Sequence, residues 1–266
     1  MSRNNRHRGI DSESSKQISL SGIEFDNLAS RELISKVREN LIEGKGGRIA
    51  TPNVHFLHLS RKSDDLLGLI NSHDFVVCDS QILFGIFRLF RVPIKEKLSG
   101  SDLVGHFLNL ANDMALNVCF IGGNPEFADR LRERVRSDFP KILGIRIISD
   151  FLDNEPNIDA LEDVYLKIKA DDTHLVFMGL GFPKQELWSQ KLIEKLPEAW
   201  FLNFGMALNY LEGSFVRSPR VFQLLGLEWL WRLLSEPKRL ASRYLLEDLP
   251  ELVWIFSNFL FKRGKE

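Results

Sequence analysis

Cysteine is nearly missing from this chain: 266 residues carry two, Cys78 and Cys119, each inside or at the end of an apolar run. So few thiols exclude a disulfide framework and a CxxC redox or zinc motif, and they suit small core residues in a reducing compartment. An excess of one charge is also lacking. The 35 Lys and Arg against 36 Asp and Glu leave a formal charge of −1, so no protein-wide field recruits nucleic acid. The apolar run near the C-terminus, Leu252–Phe261 (LVWIFSNFLF), is about half the length of a membrane-crossing helix. At the other end, MSRNNRHRGIDSESSKQ has no apolar stretch of the kind that signal peptides and anchors need, and residues 1–17 read as a disordered tail. Walker, GxSxG, HExxH and DxD sequences are all absent. Asp64-Asp65 and Asp171-Asp172 are adjacent pairs in helical or loop contexts, and His55 with His58 lacks a third ligand. The expectation is chemistry without metal or cofactor.

What is present is a core and a period. Hydrophobic residues make up 44% of the chain, enough for one large domain. Strand-like runs at Ile18–Phe25 (turning at Ser21-Gly22), Gly47–Ala50, Phe75–Cys78, Asn117–Ile121, Ile145–Ser149, His174–Met178 and Trp200–Phe204 alternate with amphipathic stretches. The firmest helices are Ser30–Glu43, Val54–Ser60, Ser80–Phe90, Ser101–Asn112, Glu126–Asp138, Ile158–Lys169 and Lys184–Leu196. That alternation predicts an α/β fold, a largely parallel, Rossmann-like sheet flanked by helices, over 18–214. Residues 215–266 show no strand signal and form a helical, basic and aromatic appendage. Between Arg217 and Arg243 six basic residues face two acidic ones, interleaved with Phe222, Trp229, Trp231 and several leucines. Such a helix lies in the interface of an anionic bilayer, packs on a partner, or covers the sheet with its arginines in solvent.

A parallel sheet binds ligands at the carboxyl ends of its strands, and four short segments fall there: Thr51-Pro52-Asn53, Asp79-Ser80, Gly122-Gly123-Asn124-Pro125 and Gly179–Trp188. The last, GLGFPKQELW, turns from a buried strand into a helix whose free N–H groups attract anions, or else is an ordinary strand-to-helix turn. Asp79 follows Phe75-Val76-Val77-Cys78 directly. It is placed either as a general base on a rigid strand end or as the N-cap of the next helix. Gly122-Gly123 lacks the GxGxxG spacing and the downstream acidic residue of a dinucleotide fold, so NAD is not expected.

Taken in order, TPNVHF at 51–56, VVCDS ending at Ser80, LSGSDL at 98–103, FIGGNP at 120–125, GLGFPKQELW at 179–188, NFGMALNYLEGSFVRSP at 203–219 and GLEWLWRLLSEPKRLASRYL at 226–245 resemble the WecG/TagA/CpsF glycosyltransferases, family 26 of that classification. The resemblance runs from about Ile18 to Phe256. It implies an inverting transferase that moves N-acetylmannosamine, its uronic acid or another hexose from UDP to a polyprenyl-diphosphate-linked sugar at the inner face of the plasma membrane. In that reading Asp79 is the general base, and Thr51 and Asn53 line its pocket. Gln185 bonds the substrate or positions the nucleotide sugar, and Gly122 and Gly123 contact substrate. Arg232, Arg239 and Arg243 neutralise the diphosphate, with no metal and no cofactor. Expected partners are the UDP-sugar, the glycolipid, an anionic membrane surface and a further copy of the chain.

Three departures from the family pattern stand out: Lys97 in place of an arginine, Ser80 in place of the glycine after the aspartate, and Met206-Ala207-Leu208 in place of a glycine-rich stretch. Lysine keeps the charge but not the bidentate fork. These departures also keep open a non-catalytic envelope-assembly protein with a degenerate pocket.

Overall fold

The computed structural model describes residues 17–150, 152–213, 218–219, 221–222 and 227–263. The expected N-terminal tail up to residue 16 and the expected boundary at 214/215 lie outside the described residues. The chain opens with a hairpin, β1 (Ile18–Leu20) and β2 (Ile23–Phe25), turning through Ser21 and Gly22 at positive φ. This hairpin is a separate two-stranded sheet. Then follow α1 (Ser30–Ile42), β3 (Gly47–Ala50), α2 (Val54–Ser60), α3 (Asp64–Asn71), β4 (Phe75–Val76), α4 (Gln81–Leu89) and α5 (Gly100–Met114). The second half of the sheet comes from β5 (Val118–Gly122), α6 (Ala128–Asp138), β6 (Ile145–Ile148), α7 (Ile158–Ala170), β7 (Leu175–Gly179), α8 (Lys184–Lys195), β8 (Trp200–Asn203) and α9 (Ala207–Glu212).

Six strands pair in parallel in the order β4-β3-β8-β7-β5-β6. Alternate residues of β7 feed opposite faces: Leu175 and Phe177 join Phe107, Phe120 and Leu208 on one side, while Val176 and Met178 join Trp188, Leu192 and Phe201 on the other. This double burial is why these strands read as continuous apolar runs. The helix α3 was not among the expected ones. It starts from Ser63, whose hydroxyl accepts the Leu66 N–H, and Asp64 and Asp65 occupy its first turn, where the helix dipole favours acids.

The C-terminal part folds back as helices. They are α10 (Glu228–Ser235), α11 (Pro237–Arg243), a π-helical turn (Tyr244–Asp248) and α12 (Leu249–Arg263). Ile255, fully buried, packs in a cluster with Val54, Phe56 and Leu57 of α2 and Ile86 and Phe87 of α4. Phe90 lies 5.7 Å from the ring of Phe256 and 4.5 Å from that of Phe259. Polar groups fix the same contact: Arg61 Nε donates to the fully buried Glu251 at 3.0 Å, and His55 Nδ1 lies 3.0 Å from Glu247. The apolar run is therefore divided between two environments. Its inner side, with Ile255, completes the core, whereas Val253 and Phe256 are exposed, as are Leu245, Leu246 and Leu249 just before the run. No helix among the described residues is long and apolar enough to cross a membrane.

Candidate functional site

The crevice forms where β3, β4 and β8 end. Parallel pairing continues past β4, because Val77 N–H donates to Ala50 O at 2.9 Å and Asp79 N–H to Pro52 O at 3.3 Å. Asp79 is thereby held beside Thr51-Pro52-Asn53. Thr51 is buried and its hydroxyl donates across the sheet to Asn203 O at 3.2 Å. Asn53 is the N-cap of α2, its Oδ1 accepting the His55 N–H at 3.1 Å. The N-cap of α4 is Ser80, whose Oγ accepts the Leu83 N–H at 3.2 Å. Asp79 is therefore not the cap. Its Oδ1 accepts instead from the N–H of Gly100, the first residue of α5, at 3.1 Å. Gly100 lets α5 approach β8 closely, since a Cβ there would sit 3.0 Å from Phe204 O, tighter than an ordinary contact.

Two cations reach this carboxylate from different directions. Burial pushes the Asp79 carboxyl above the usual range, and Arg232, Lys97 and the Gly100 N–H oppose that rise. Lys97 comes from the loop before α5, and Arg232 from α10, where its guanidinium lies 5.5 Å from the centroid of the Tyr210 ring. Glu228, one turn before Arg232, sits 3.5 Å from Lys97 Nζ and accepts from Ser218 Oγ at 3.3 Å. Glu228 and Tyr210 carried no individual signal in the sequence beyond their place in the GLEW and NFGMALNY blocks. Beside Lys97 a cleft of about 350 Å³ runs along α5, lined by Ser30, Glu96, Ser101, Asp102 and His106. A carboxylate with a raised proton affinity next to fixed cations suits a base working where a leaving group develops negative charge.

The other expected site residues are distributed differently. Arg239 pairs with Glu236, and Arg243 lies 3.5 Å from Asp248, both within electrostatic range of the Tyr244 phenol. Gly122 and Gly123 end β5 at φ 98° and 83°, and a Cβ on Gly122 would come within 2.8 Å of Gly179 O. These glycines let the ends of β5 and β7 approach at the point where the chain leaves the two strands in opposite directions. Gln185 is 2% exposed and is used internally. Its Oε1 accepts from the N–H groups of Gly181 at 3.2 Å and Gly205 at 3.1 Å, and its Nε2 donates to Glu186 at 2.9 Å. Met206-Ala207-Leu208 also has a structural account, because Leu208 is fully buried against Gly179, where a Cβ would lie 2.6 Å from Leu208 Cδ1. Among the described residues no three His, Cys, Asp or Glu side chains are grouped as metal ligands.

A six-stranded parallel sheet flanked by helices, with a charged crevice at its carboxyl edge, defines a Rossmann-like α/β protein. The sequence matches the model of the glycosyl transferase WecG/TagA/CpsF family over residues 18–265, and the chain belongs to that family. It is similar to the N-acetylglucosaminyldiphosphoundecaprenol N-acetyl-beta-D-mannosaminyltransferase of Bacillus spizizenii, 28% identical over 199 residues that cover 75% of each chain. The protein of the same name from Staphylococcus aureus strain MW2 is 22% identical over 237 residues, 88% of this chain and 89% of the relative.

Proposed function

We propose that this protein is an inverting hexosyltransferase of cell-surface polysaccharide synthesis. It moves N-acetylmannosamine, its uronic acid or another hexose from a UDP-sugar to a polyprenyl-diphosphate-linked acceptor. The observation that carries this reading is Asp79 held at a strand end within electrostatic range of Lys97 and Arg232. Asp79 takes the proton of the acceptor hydroxyl as that oxygen bonds to the anomeric carbon. The bond from that carbon to the UDP oxygen breaks on the opposite face, so one displacement inverts the centre. The departing diphosphate gains negative charge, which Lys97 and Arg232 offset without a metal, and Arg239 and Arg243 extend the positive rim. The names of the relatives support a polyprenyl-diphosphate acceptor carrying N-acetylglucosamine. The hydroxyl- and carboxylate-lined cleft beside Lys97 suits a sugar. Thr51 and Asn53 line the pocket beside Asp79, and Gly122-Gly123 border the nucleotide at the β5–β7 crevice.

The acceptor is a lipid, and the exposed leucines of the π-helical turn and α12 support docking at the inner face of the plasma membrane. The test is a panel of UDP-sugars with a synthetic polyprenyl-diphosphate-N-acetylglucosamine acceptor, read by mass spectrometry of product and by thermal shift. One donor should give product and raise the melting temperature, because a ligand that binds only the native state stabilises it. Neither product nor shift with any UDP-sugar sinks the reading.

A further inference from the structure

Glu186 is fully buried, and no role in the chemistry above involves it. A carboxyl at such depth is expensive unless it is bonded, and this one has few partners among the described residues: Oε1 accepts from Gln185 Nε2, the Glu186 backbone N–H adds to this, and Oε2 has none. The Gln185 amide is consequently oriented at both ends. Its nitrogen points to Glu186, and its oxygen collects the N–H groups of Gly181, after β7, and Gly205, after β8. The series continues toward the crevice. Gly205 follows Phe204, whose carbonyl abuts Gly100, and the Gly100 N–H holds Asp79 Oδ1 at 3.1 Å.

We propose that Glu186 is a positioning residue for transfer: it orients the Gln185 amide, which pins the loops after β7 and β8 against which α5 and Asp79 are set. The proposal rests on the reading of the Asp79 crevice as the transfer site. Burial raises the Glu186 carboxyl to about 8, so at neutral pH it is an uncharged acid and glutamine is its isostere. The charged group close enough to interact with it is Arg48 from β3, which in turn interacts with Asp74 and His73 after α3 and with Glu194. On α7, Glu162 and Tyr165 serve Lys195 at the far end of α8. Nothing in this set replaces Glu186 as acceptor for Gln185 Nε2, whose amide would be freed by its loss.

The test compares Glu186→Leu with Glu186→Gln in the full chain. Leucine matches the volume and removes a poorly bonded buried carboxyl, so the melting temperature should hold or rise. Transfer should nevertheless fall at least about tenfold in kcat with little change in KM, since misplacing a reacting group by an ångström costs up to about a hundredfold. Glutamine should restore kcat to within about threefold of the wild type. Independently of activity, amide exchange at Gly181, whose N–H bonds to Gln185 Oε1, should speed up about tenfold in the leucine variant and stay at the wild-type rate in the glutamine one. Gly205, which also donates to Met178 O at 3.1 Å, should change less. A leucine variant with wild-type kcat and wild-type exchange at Gly181, or a glutamine variant as impaired as the leucine one, overturns the proposal. If the wild type transfers no sugar the functional reading fails instead, and the exchange comparison still decides whether Glu186 fixes the loops.

Discussion

Replacing Ile255 with alanine tests whether the C-terminal helices are a docked unit. Ile255 is fully buried against α2 and α4, and truncating such an isoleucine costs about 2–5 kcal/mol. Among the remaining contacts of α12 on the domain are Phe90, edge-on to Phe256 and stacked on Phe259, and Arg61, which lies over the Trp254 ring and pairs with Glu251. If docking is a local equilibrium, a loss of about 3 kcal/mol multiplies the undocked population more than about a hundredfold. Hydrogen exchange read by mass spectrometry separates this from global unfolding. Peptides over 228–259 should exchange about a hundredfold faster, while those over β5 and β7 keep their protection. Transfer should fall with them, because Arg232 reaches Asp79 from α10. A uniform rise across all peptides, or none in α10 to α12, refutes the docked-unit reasoning.

Asp79→Asn keeps an acceptor for the Gly100 N–H, so the protein should melt at or above the wild-type temperature at pH 7 while transfer falls about 10²–10⁴-fold. The sign follows from the raised proton affinity: an ionised Asp79 costs stability once the pH exceeds the ordinary carboxylate value, and asparagine removes that cost. Arg232→Lys should lower kcat about tenfold or more even though charge is kept, because an ammonium lacks the fork and its packing over Tyr210; unchanged kcat would remove Arg232 from the leaving-group role. On acidification, His55 and His73 are held down to about 4 and about 3, chiefly by burial. The unfolded chain takes up both protons near pH 6.5 and the folded one does not, so the stability these histidines contribute is complete above about 6.5 and falls toward pH 4, while the raised carboxyls of Glu186 and Asp79 act in the opposite sense. Urea unfolding should therefore show the stability lost per pH unit below 6.5 to be smaller in His55→Gln than in the wild type, by up to about 1.4 kcal/mol.

The sheet was readable because its central strands are buried on both faces, which makes β5, β7 and β8 unbroken apolar runs. The order of the strands was not, since an apolar run does not say which neighbour it pairs with. Asp79 was found by its place after a strand, yet the choice between base and cap needed Ser80, whose hydroxyl takes the cap. Gln185 was legible as important but not in its orientation: a polar residue in a glycine-rich turn reads as facing a ligand, and only its two backbone partners show it turned inward. Glu186 gave no separate signal, because acids in the first turn of a helix are common and mostly solvated. The pair His55 and His58, dismissed as metal ligands, found partners near the opposite end of the chain in Glu247 and Glu251. The run Leu252–Phe261 looked uniform in hydropathy, and the fold divides it because only one side of α12 meets α2 and α4.

The position of β8 has a consequence for how the protein is made. This strand, the last of the sheet to be synthesised, lies between β3 and β7 and, among the described residues, is the strand whose pairing joins the β4-β3 pair to the β7-β5-β6 trio. On the ribosome the nascent chain therefore holds two unjoined half-sheets, each with an open apolar edge, until residue 203 emerges. A chain arrested before that point is a natural client for a chaperone.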